Sequence, residues 1–194
     1  SGDLEHWTYP MCILKPDYDH DNYDESFHGM CHFRMGDYHV GLVHVLHMVD
    51  NTMNVRLACS RDGWEWKFLD NRRPWLEPEP IPGAWDRFMV NIPNKPVEVG
   101  DEWWLYYGGS RNHHDWWITG LKEGLDVPEA RDMAQVGYGL GLAKMRRGRL
   151  VSLEAKEVRP GVLVTRVLRS LGTQLLINAS CRNGGEIRVE VTDE

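Results

Sequence analysis

The feature that most constrains this chain is a repeat. Ser1-Gly2-Asp3-Leu4-Glu5-His6-Trp7 and Ser60-Arg61-Asp62-Gly63-Trp64-Glu65-Trp66 share the pattern S-x-D-x-x-x-W, 59 residues apart from Ser1 to Ser60. A second order recurs around it: Gly-Asp, then alternating apolar residues, then Leu-Ala followed by Arg and Gly. It runs from Gly36-Asp37 through Leu57-Ala58-Cys59-Ser60-Arg61-Asp62-Gly63, and again from Gly100-Asp101 through Leu142-Ala143-Lys144-Met145-Arg146-Arg147-Gly148. The step from Gly36 to Gly100 is 64 residues and that from Leu57 to Leu142 is 85, which places an insertion of about 20 residues in the second unit, at Ser110 to Gln135. A repeat of this length built from four short antiparallel strands cannot bury both of its faces alone and must pack on neighbours.

Local patterning agrees. Runs of four to eight residues rich in Val, Leu, Trp and Tyr, bounded by Gly, Asp, Asn or Pro, predict strands. They cover Tyr38–Val49, Asn54–Ser60, Glu102–Tyr107, Gly137–Lys144, Gly161–Val167, Gln174–Ala179 and Glu186–Val191. Helical periodicity is scarce, and its best segment is Leu121–Met133, where Pro128 opens a short turn. The chain reads as all-β. Gly36-Asp37 and Gly100-Asp101 suit tight hairpins. The short polar side chains of S-x-D-x-x-x-W suit a turn whose backbone donors they satisfy, so Asp3 and Asp62 read as turn-builders rather than catalysts.

Composition narrows the function. In 194 residues, 22 Lys and Arg stand against 29 Asp and Glu, a net charge of −7 with no basic run, which argues against a nucleic-acid partner. No stretch approaches the ~20 apolar residues of a membrane helix. Cys12, Cys31, Cys59 and Cys181 lack C-x-x-C spacing and read as structural thiols. The run Asp17, Asp19, Asp21, Asp24, Glu25 lacks the Gly and Glu of an EF-hand loop. His39 and His47 share one face of a strand and His44 takes the other, so they do not converge as ligands. No metal and no cofactor is implied.

Together, Ser1 and Ser60 with their motifs, Pro82-Gly83-Ala84-Trp85-Asp86, Val99-Gly100-Asp101-Glu102-Trp103-Trp104-Leu105-Tyr106-Tyr107-Gly108-Gly109 and Gly141-Leu142-Ala143 resemble the five-bladed β-propeller glycosidases of the invertase and arabinanase type. Sialidase-type propellers fit less well, because their turn motif carries one more residue between Asp and Trp. The resemblance implies a partial propeller over residues 1–150, about two blades and the end of a third, followed by the start of a β-sandwich over 151–194. It also implies a C-terminal fragment of a longer protein, since five such blades need about 300 residues.

Glycoside hydrolysis uses two carboxyl groups flanking the scissile bond. In the resembling family they stand on the innermost strands, which here precede each Gly-Asp hairpin. Asp24, Glu25 and Asp86 are therefore the catalytic candidates, although they do not match the family's acid motifs residue for residue; substrate binding and a solvated loop position stay open for each. His28, Trp85, Arg87, His113, His114 and Trp116 are the substrate-binding candidates, the indoles because sugar C–H faces stack on aromatic rings. Arg87 reads either as an ion-pair partner of Asp86 or as a donor to sugar hydroxyls. The expected ligand is a carbohydrate, hydrolysed by the parent protein or bound without catalysis; a protein-interaction propeller is the remaining alternative.

Overall fold

A computed structural model describes residues 1–155, 160–169, 172–182 and 184–192. The chain divides into two units, Ser1–Leu150 and Val151–Glu194.

In the first unit, β1 (Glu25–Met35), β2 (Tyr38–His47) and β3 (Thr52–Ser60) form an antiparallel meander. The outer edge of β3 carries β4 (Trp66–Phe68) and β5 (Pro74–Leu76), two pieces of one interrupted strand. The second repeat has the same layout. β6 (Met89–Asn91) and β7 (Val97–Val99) both pair with β8 (Glu102–Ser110), and β9 (Tyr138–Arg146) pairs along the other side of β8. The two repeats meet at one parallel bridge, Met53↔Met89, so that all nine strands belong to one open, curled sheet.

The sequence repeat is a structural repeat. Both Gly-Asp pairs make two-residue hairpin loops, between Met35↔Tyr38 and Val99↔Glu102, and the glycines take the left-handed φ these loops need, +57° at Gly36 and +61° at Gly100. At the second S-x-D-x-x-x-W copy, Asp62 Oδ1 accepts from the Trp64 and Glu65 amides, Ser60 Oγ accepts from the Gly63 amide, and Trp66 Nε1 donates to the Gly63 carbonyl. The first copy repeats these bonds with Asp3, Ser1, Leu4 and Trp7. The fourth position of the motif is left-handed in both copies, at Leu4 (φ 65°) and Gly63 (φ 80°), and Gly148 (φ 73°) takes the matching place in the third. Asp3 and Asp62 are turn-builders, and the backbone amides they accept hold both carboxyls well below the ordinary carboxylate range.

Alternation on β2 buries both faces. Val40 and Leu42 join Phe33, Val55, Leu57, Val90, Ile92, Trp103 and Leu105 in the main core, which draws on both repeats. Val43 and Val45 pack on the opposite face with Ala58, Phe27 and Phe68. A strand interior to two layers needs this near-continuous apolar run.

Two expectations are corrected. The insertion forms α1 (Trp116–Glu123), which starts before the segment expected to be helical, and α2 (Pro128–Arg131), opened by Pro128 as its position predicted. The start of α1 is set from a distance: Asn51, in the β2–β3 turn, accepts from the Asp115 and Trp116 amides through Oδ1. No local capping pattern announces such a start. In the second unit, the segments 161–167, 174–179 and 186–191 form no strand, so the expected β-sandwich segment has none among its described residues. Val162, Leu176 and Val191 stand exposed there. Alternation supplies an apolar face, but a strand persists only when neighbours pair with its backbone and cover that face.

Candidate functional site

The loop entering β6 carries Trp85 and Asp86, and the sheet beneath is shaped to receive them. Gly109 on β8 faces Gly139 on β9, and Tyr107 faces Gly141. A Cβ on Gly109 would lie 2.6 Å from Asp86 Cβ, one on Gly139 would lie 2.5 Å from Trp85 Cε3, and one on Gly141 would meet the Tyr107 ring. The glycines form a floor on which two aromatic rings and a carboxylate rest. Trp85 and Tyr107 lie 5.5 Å apart at a tilt of 36°, and Trp85 keeps 39% of its surface exposed. Tyr107 Oη donates to Asp86 Oδ2 at 3.0 Å.

Burial, and then the hydrogen bond and charge of Asp86, push the Tyr107 phenol up to about 12. It therefore stays a donor to Asp86 at physiological pH. Absorbance titration of phenolate should show one tyrosine ionising near 12, and Asp86→Asn should bring that transition down; a titration unchanged by Asp86→Asn contradicts the pairing.

Ala84 and Arg87, on either side of this pair, line an open cleft of about 390 Å³ with Phe88, Arg111, His113 and Glu129. His113 is fixed on three sides. Its Nδ1 lies 2.5 Å from Glu129 Oε1, which also accepts from the His113 amide at 3.1 Å, and its ring stacks on Phe88 (3.9 Å) and Trp116 (4.2 Å). An ionised carboxylate only accepts, so the proton sits on Nδ1 and Nε2 of the neutral ring is an acceptor. Burial raises the Glu129 pKa, but the backbone amides and His113 outweigh it, and the net shift is downward. The second oxygen, Oε2, is buried without a partner.

His28 is the extra residue of a bulge in β1 between Phe27 and Gly29. The bulge re-aims it against His114, with ring centroids 4.7 Å apart. Burial, followed by the neighbouring His28, lowers the His114 pKa, with Asp115 opposing. His44 binds the Ile92 backbone from β2, away from the His32–His39 stack.

Glu25 lies elsewhere in bonding terms. Both of its oxygens are taken by Arg56, at 2.8 and 2.6 Å, and Asn22 adds a third contact. Arg56 also reaches Asp21, which binds Arg72, which reaches Asp17. The acidic run thus faces two arginines. Asp24 is half-buried where β1 begins, and its carbonyl accepts from the Met48 amide.

The predicted residues therefore assemble in three places. Trp85 and Asp86 join Tyr107 on the glycine floor; Arg87, His113 and Trp116 gather at the cleft; His28 and His114 stack together. The sequence reading missed Tyr107 as the partner of Asp86, and it missed Arg111, Glu129, Asn51 and Arg56. Only Pro128-Glu129 carried a signal, as a helix start. Among the described residues, no group of three or more His, Cys, Asp or Glu side chains could hold a metal ion, and no helix is long and apolar enough to cross a membrane. The four cysteines are free thiols.

No protein-family model matches the sequence, and no curated protein matches it. Solved structures give partial likenesses. One, described as "Glycoside hydrolase", is 18% identical with a TM-score of 0.40, over 52% of this chain and 30% of that one. Another, described as a BT0996 complex with RGII, is 17% identical with a TM-score of 0.45, over 69% of this chain and 35% of that one. The chain spans about a third of the length of each.

Proposed function

We propose that the two repeats are blades of a five-bladed propeller of the glycosidase-like group, and that the Trp85–Phe88 loop and the helical insertion together bind carbohydrate. The recurrence of one turn geometry at Ser1 and Ser60, with Gly148 repeating its left-handed position, supports the blade reading.

The observation that carries the binding reading is the seating of Trp85, Asp86 and Tyr107 on Gly109, Gly139 and Gly141 beside an open cleft. A sugar offers apolar C–H faces and a ring of hydroxyls. An exposed indole next to a fixed carboxylate answers both, and rigid aromatic support lowers the ordering cost of binding.

Binding is favoured over hydrolysis within this chain because Glu25 has both oxygens committed to Arg56. A carboxyl so held is poorly placed to deliver a proton or to attack. Asp86, with Oδ1 free of hydrogen bonds among the described residues, is the acid best placed to meet a ligand.

The test is calorimetric titration with plant and microbial oligosaccharides, alongside product analysis. Binding without product release is expected, and Trp85→Ala is expected to weaken it about tenfold, the loss of one stacked ring. Binding unchanged in Trp85→Ala, or no binding to any glycan, defeats the reading; released sugar moves it to the hydrolase.

A further inference from the structure

Arg87 and Arg111 line the cleft, and neither forms an ion pair among the described residues, in a chain whose net charge is −7. Carboxylates outnumber arginines and lysines here, so two cations left without partners on one cleft wall are unusual. The neighbouring acids are otherwise engaged. Asp86 takes the Tyr107 hydroxyl rather than Arg87, and Glu129 takes His113.

Both guanidinium groups are held in place. Arg87 lies over the Phe88 ring, 5.0 Å from its centroid. Arg111 donates from Nε to the Gln135 carbonyl (3.1 Å) and from Nη2 to the Ala134 carbonyl (2.6 Å), across a backbone where Gly137 leaves room for it. Its Nη1 makes no hydrogen bond among the described residues. Between these cations, His113 presents Nε2 as an acceptor, because Glu129 fixes the proton on Nδ1.

We infer that this cleft recognises a sugar acid, a pyranose bearing a carboxylate such as a uronate, with Arg87 and Arg111 on the carboxylate and His113 accepting from an adjacent hydroxyl. The inference rests on the carbohydrate reading above and names its substrate class. A simple inorganic anion would use the arginines but leave the oriented acceptor idle. A neutral sugar would use the acceptor but leave two cations unpaired. A sugar acid alone uses both, and charge-assisted bonds from a planar guanidinium to a carboxylate are the stronger ones.

Titration of the chain with galacturonate and glucuronate oligosaccharides, against neutral galactose and glucose oligosaccharides of equal length, tests it. About a tenfold preference for the acidic series is expected, shrinking at high salt. Arg87→Ala should abolish that preference while sparing neutral-sugar binding, and Arg87→Lys should restore part of it. Arg111→Gln, which keeps a donor toward the 134–135 carbonyls, should act in the same direction. Equal binding of acidic and neutral sugars, indifferent to Arg87→Ala, overturns the sugar-acid assignment and leaves the carbohydrate reading standing. Acetate or phosphate binding as tightly as the uronates also overturns it. Failure of every glycan to bind removes both.

Discussion

Arg56→Ala is expected to cost about 3–5 kcal/mol of folding stability, the penalty for leaving buried charge without its partner. Glu25 and Asp21 are buried, with side chains 1% and 0% exposed, and Arg56 is the cation that reaches both. Asp21 retains Arg72, but Glu25 is left with Asn22 and with a His47 nitrogen 3.7 Å away. The pair spans β1 and β3, so its loss loosens the strand that carries His28. Urea unfolding reads the change directly, and a midpoint within experimental scatter of the parent refutes it. The double replacement Arg56→Met with Glu25→Leu should lose less than Arg56→Ala alone, since it removes the charges together.

The same pair sets a pH dependence. Burial raises the Glu25 pKa, while the hydrogen bonds and charge of Arg56 lower it, and the net shift is downward. A carboxyl whose pKa is lower folded than unfolded contributes stability that is fully present above its unfolded value, near 4.5. That contribution fades as pH falls through the lowered folded value. Acid titration of the parent should therefore show a stability loss below the ordinary carboxylate range, and the double replacement should lack that component.

The repeat was legible because it is local. Gly36-Asp37, Gly100-Asp101 and the Ser, Asp and Trp of the turn motif act on backbone within four residues of themselves, so spacing alone betrays them. Asp86, Trp85 and Arg87 could be chosen from their position before a Gly-Asp hairpin. Their partners could not. Tyr107 reads as half of an alternating strand until β8 is laid beside the Trp85–Asp86 loop. Glu129 gains its meaning only when the insertion folds back on His113, and Asn51 caps a helix 64 residues away. The strands expected after Val151 failed for a related reason: alternation is a property of the segment, but pairing is a property of its neighbours.

Gly109→Ala should separate site geometry from overall folding. Its new methyl would stand 2.6 Å from Asp86 Cβ, 2.8 Å from Trp85 Cζ3 and 3.2 Å from Asp86 Cα. The last of these is backbone, so no rotamer change relieves the clash and the loop itself must lift. Forcing a methylene into such a contact costs about 1–3 kcal/mol. The loop carries the indole, the carboxylate and, one residue on, Arg87, so a shift of even an ångström spoils stacking and hydrogen bonding together. Glycan affinity should fall more than tenfold, beyond the loss in Trp85→Ala, because two or more contacts go at once. Gly2→Ala is the matched control: a Cβ there meets nothing within 4 Å. A Gly109→Ala chain that keeps the affinity of Gly2→Ala would place the sugar somewhere other than this floor.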